Sequence, residues 1–153
     1  MAEPVPERIA EHVRSRLAPI AAGGAIRPTR LGDFQPKDYQ VVITQGDVIR
    51  NPALDCPGNP PAIARVIPFI VAGILRPSEK LTTPIATLKN EFWSTCVKAI
   101  NTGSAWWNWN GLAIDSQVSD VENYSDEDGN SGFHLNLRIT FRTDENDLTV
   151  VRS

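Results

Sequence analysis

Two histidines, two cysteines and eighteen acids are among the side chains of this 153-residue chain that could bind a metal, shuttle a proton or form a covalent intermediate. Their spacing points away from most of that chemistry. His12 falls on a helical stretch, off its apolar stripe, and His134 falls on the wet face of a strand. Both read as surface histidines, and no paired-histidine zinc helix is present. Cys56 and Cys96 make no Cys-x-x-Cys, and without an export signal both are expected as thiols. The chain has no glycine-rich phosphate loop and no nucleophile elbow. A carboxylate doing acid–base work would sit with its twin in an apolar pocket that raises its pKa, and nothing in the pattern places such a pair. No catalytic residue, cofactor or metal is therefore expected. Asp126-Glu127-Asp128-Gly129-Asn130 has the look of the first residues of a calcium loop. Such a loop needs ligands across 12 positions, and here Gly132-Phe133-His134 leads into a strand, so a solvated hairpin tip is expected.

Two further groupings point to surfaces. From Leu112 to Leu137 the acids Asp115, Asp120, Glu122, Asp126, Glu127 and Asp128 occur with no lysine or arginine. The ordinary reading is a solvated face. The functional one is a surface that repels phosphates, since basic residues would release counterions and hold nucleic acid. Trp106, Trp107 and Trp109 cluster after the second helical stretch. They are expected as core or subunit-interface anchors, with a sugar platform as the rival.

The elements that must position these residues follow from periodicity. Ile9, Val13, Leu17 and Ile20 form a helical stripe, with Pro6 in the first turn, Glu7 and Glu11 early, and Arg14 and Arg16 late. Pro19 bends or ends it, and Gly23-Gly24 terminates it. Ala25 to Leu31 reads as a weak edge strand and Tyr39 to Ile49 as a better one. Asn51 to Pro61 is a loop. Ile63 to Leu75 is a long strand, apolar on both faces and hence covered on both, in which Pro68 requires an edge or a bulge. Thr83 is a plausible cap for a second helix with stripe Ile85, Leu88, Phe92, Cys96 and Ala99, stopped by Gly103. Leu112 to Val121 is a strand of mixed pattern. Phe133, Leu135, Leu137, Ile139 and Phe141 alternate with polar residues and mark a strand with one buried face. The order α-β-β-β-α-β-β predicts one α+β domain over residues 1–153, with two helices on one face of a mostly antiparallel sheet.

The net charge of −3 argues against a dedicated nucleic-acid or anionic-membrane binder. Val66 to Leu75, the most apolar run, is too short to span a bilayer. The N-terminus has no basic and apolar leader pattern, and the sequon Asn123-Tyr124-Ser125 is read as chance.

The layout resembles the tail terminator (tail completion) proteins of long-tailed bacteriophages. The residues that carry this are the helix Glu7-Arg8-Ile9-Ala10-Glu11-His12-Val13 leading to Ile26-Arg27-Pro28-Thr29-Arg30 and the apolar strand Pro68-Phe69-Ile70-Val71-Ala72-Gly73. The helix from Pro84 to Ile100 and the closing run from His134 to Asp144 complete it. The resemblance implies a non-enzymatic virion protein of the tail neck, assembled in the host cytoplasm. Its hexameric ring would stop tail-tube growth and meet a head-side connector or stopper. DNA would pass through without specific binding, and no membrane is involved. Six globules of about 15 Å radius of gyration in a ring leave a hole of roughly 30–40 Å, wide enough for a duplex. The expected subunit interface is drawn from Ile63, Val66, Ile67, Phe69, Ile70, Val71, Ile74, Arg138 and Arg142, with the arginines pairing with a neighbour's acids. Asp120, Glu122, Asp126, Glu127 and Asp128 would line the lumen or face the tube. The alternatives are another neck or tail-tube protein, a carbohydrate-binding module built on the tryptophans, or a small enzyme using carboxylates.

Overall fold

A computed structural model describes residues 3–28, 38–76, 83–101, 109, 111–125 and 131–152. The first helix, α1 (Val5–Leu17), opens with Pro6 in its first turn and closes with Arg14 and Arg16 in its last. Val5, Ile9, Ala10, Val13 and Leu17 form its buried stripe. Pro19 follows in a 3-10 turn, Ala18–Ile20, so the α-helix ends two residues before it. Gly23 and Gly24 do not stop a helix. Gly23 N donates to Tyr39 O at 2.9 Å, and Gly24 O accepts from Val41 N at 2.9 Å, which ties the incoming chain to the sheet.

Strands β1 (Ala25–Ile26), β2 (Gln40–Gln45), β3 (Ile49–Arg50) and β4 (Ala62–Leu75) precede α2 (Ile85–Ile100). Strands β5 (Asp115–Ser125), β6 (Ser131–Asp144) and β7 (Asp147–Arg152) follow it. The sheet runs β1-β2-β4-β6-β5, with β3 against β4 and β7 against β6. Among the described residues only β1 and β2 pair in parallel; the other pairings are antiparallel. The fold is α+β, and the predicted order holds with β3 and β7 added. The weak first strand is reduced to Ala25–Ile26, and residues 29–31 of its expected range lie outside the described residues.

The expected strand from Tyr39 to Ile49 is broken in two, and the partner strand explains why. β2 and β3 lie along the same edge of β4, pairing Gln45 with Phe69 and Ile49 with Val66. The break lies opposite Ile67 and Pro68. Pro68 has no N–H to give, and its carbonyl accepts from Gly46 N at 2.8 Å. On its other side Pro68 keeps its place in the β4–β6 ladder opposite Arg138. The proline is thus accommodated in an interior strand by an interruption in its neighbour.

Register then sorts the faces. Ile67, Phe69, Val71 and Leu75 of β4 and Phe133, Leu135, Leu137, Ile139 and Phe141 of β6 point to the helices and are fully or almost fully buried. Each such side chain contributes about 1.5–3 kcal/mol. Gly73 is required in this layer: a Cβ there would meet the Phe133 ring at 2.2 Å. α2 begins with Pro84, not Thr83, in the cap position and has no side-chain cap. The Pro84 carbonyl instead accepts from Thr87 N at 3.0 Å and Leu88 N at 3.2 Å. Phe92, Cys96 and Ile100 are the buried residues of α2, while Ile85 at its start is exposed. No helix among the described residues is long and apolar enough to cross a membrane.

Candidate functional site

Both faces of β4 are apolar in sequence, but the molecule covers them unequally. Ile63, Ile67, Phe69 and Val71 are packed inside the subunit. Ile74 lies on the opposite face yet is only 9% exposed. These five are corrected from interface candidates to buried residues, and Ile67, Phe69 and Val71 pack in one cluster with both helices. Val66 is half-buried and Ile70 is 45% exposed. The expectation that β4 is covered on both faces therefore fails at its middle: no helix of the described residues lies over Ile70.

Ile70 stands opposite Thr44 of β2 and Asn136 of β6. Beside it a depression of about 390 Å³ is lined by Gly46, Pro68, Phe69, Ile70, Ser119, Asn136, Leu137 and Arg138. A second, of about 230 Å³, is lined by Leu54, Val66, Asp115, Gln117, Arg138 and Thr140 among others. Arg138 borders both. Ile49, 57% exposed, pairs with Val66 and extends the apolar band, and Leu54 adds to it. Arg138 is exposed and has no ion-pair partner among the described residues. The site is an open, greasy strip with one unneutralised guanidinium at its rim. Arg142 sits on the same face, but its Nε donates to Leu54 O at 2.7 Å, so it anchors the 51–61 loop.

The remaining candidates fall elsewhere. Asp120 and Glu122 are exposed on β5, Asp120 at a bulge with φ of 25°. Asp126, Glu127 and Asp128 lie outside the described residues, as do Trp106 and Trp107. Trp109 is fully buried, with the Arg16 guanidinium 3.8 Å from its ring centroid. Arg16 also donates to Ile100 O at 3.0 Å. Trp109 is thus a core anchor at the meeting of the two helix ends and cannot serve as a sugar platform. His12 is half-buried and His134 exposed.

The ionisable clusters tie neighbouring segments to one another, and their carboxyls are shifted down. Arg27 donates to both Glu7 oxygens, at 2.7 and 3.1 Å, and to Glu11 at 3.0 Å. The Arg27 hydrogen bond holds the Glu7 carboxyl below its ordinary range. Arg14 and then Arg27 do the same for Glu11. Asp55 is lowered by the Ala64 N–H, at 2.7 Å, and by Arg50. A general acid needs the opposite shift. Both cysteines are free; burial pushes the Cys96 thiol up to about 12. Among the described residues no group of three or more His, Cys, Asp or Glu is placed to hold a metal.

Sequence reasoning missed Ile49 and Leu54, because nothing in a short loop-flanked segment says which way it faces. It also missed the Arg27 clasp, although Glu7 and Glu11 at i,i+4 present two carboxylates on one helix face. Comparison of the chain with protein-family models and with curated proteins finds no match.

Proposed function

We propose that this protein is a structural ring subunit of a bacteriophage tail, ending tail-tube growth and joining the tail to the head-side connector while DNA passes through the channel. The observation that carries this reading is the uncovered middle of the sheet. A central strand with Ile70 at 45% exposure, flanked by Val66, Ile49 and Pro68, is the type of patch that marks an association surface. The similarity in element order to tail terminator proteins supplies the rest. The exposed acids Asp120 and Glu122 of β5 suit a surface past which a polyanion slides.

Electron microscopy of tails assembled without this protein tests the reading. Tubes of abnormal length are expected. Tubes of normal length that still join heads would refute it.

A further inference from the structure

The open strip has a chemical complement on the same molecule. β7 alternates Val151, which packs against the core, with Leu148 and Val150, which are exposed. Leu148 and Val150 lie in the stretch 148–150 that a register shift leaves without partners on β6. Glu145 and Asp147 flank them and are exposed. Glu145 has no ion-pair partner among the described residues. Asp147 Oδ1 accepts from Thr149 N at 2.9 Å and Thr149 Oγ1 at 2.6 Å, which fixes the carboxylate in place. One patch is thus apolar with a spare cation, and the other is apolar with spare anions.

We infer that the strip around Ile70 and Arg138 receives the β7 segment Glu145–Val150 of a second copy of this chain. This rests on the ring reading and names the surfaces that would close the ring. A subunit cannot satisfy itself. β7 is fastened to the far end of β6, with Arg142 opposite Arg152 and Thr143 opposite Val151, whereas Ile70 stands opposite Asn136. The contact must therefore be between molecules. Each subunit carries one donor patch and one acceptor patch, so the contact can repeat head to tail until the assembly closes. Leu148 and Val150 would fill the depression beside Pro68 and Ile70. Arg138 would meet Glu145 or Asp147 in a charge-assisted pair.

Sedimentation of the full chain over a range of concentrations provides the test. The wild type should associate. Ile70→Asp and Leu148→Lys should each weaken association by about tenfold or more, with circular dichroism and melting close to wild type. Ile70→Ser serves if the aspartate disturbs folding. The two variants mixed should recover a single contact and sediment as dimers, because one keeps an intact β7 and the other an intact strip. Arg138→Glu should weaken association, and Glu145→Arg or Asp147→Arg in the same chain should restore it. A wild type that remains monomeric, a mixture that stays monomeric, or a charge reversal without rescue would each overturn the inference. Tail length in the absence of the protein is a separate readout, so failure here is distinguishable from failure of the tail reading.

Discussion

Phe133 and Gly73 face each other across the β4–β6 pair, and the aromatic ring occupies the space that a Cβ would need. Gly73→Ala should therefore overpack the core and cost about 1–3 kcal/mol, read as a lower denaturation midpoint with an unchanged slope. The thiols provide a second residue-scale prediction. Cys96 is buried with its pKa raised, whereas Cys56 is only half-buried on the 51–61 loop. One equivalent of a thiol reagent should react with the native protein and two after denaturation. The Arg27 clasp gives a pH dependence. Glu7 and Glu11 have folded-state pKa values below their unfolded ones. Their contribution is complete above the unfolded value and is lost as pH falls through the folded value. Arg27→Met should flatten the loss of thermal stability below about pH 5. At neutral pH it should cost less than about 1 kcal/mol, because the carboxylates are 44% exposed.

At the scale of elements, β4 and β6 form a continuous fourteen-pair ladder from Ala62–Asp144 to Leu75–Ser131. Amides of these two strands should exchange last in hydrogen-exchange measurements, and those of β3 and β7 early. This ladder also marks what the sequence could and could not reveal. The alternation from Phe133 to Phe141 fixes β6 because its two faces differ sharply in polarity. β4 was legible as a strand, but its inward and outward faces were not, since Phe69 and Ile70 are equally apolar on paper. Only the register with β6 and the position of the helices separate them. The two-residue β3 carries too few side chains to show a period. The break between β2 and β3 depends on Pro68, which is distant in sequence. The interface candidates inherited that ambiguity: Val66, Ile70 and Arg138 stay on the surface, while Ile67, Phe69 and Val71 do not.

At the scale of the whole molecule, the described helices lie on one side of the sheet, and Ile70 in the middle of the other side is exposed. Removing exposed apolar surface there should alter association with little change in folding. Ile70→Ser should thus cost about 1 kcal/mol of stability while reducing the sedimenting mass. The topology has a different consequence during synthesis. β4 lies between β2, which leaves the ribosome before it, and β6, which leaves long after it. Until β6 emerges, a fourteen-residue apolar segment has an unmated edge, and the delay invites self-association of nascent chains. A premature stop before Ser131 would make that exposure permanent, so such fragments should be recovered as insoluble material.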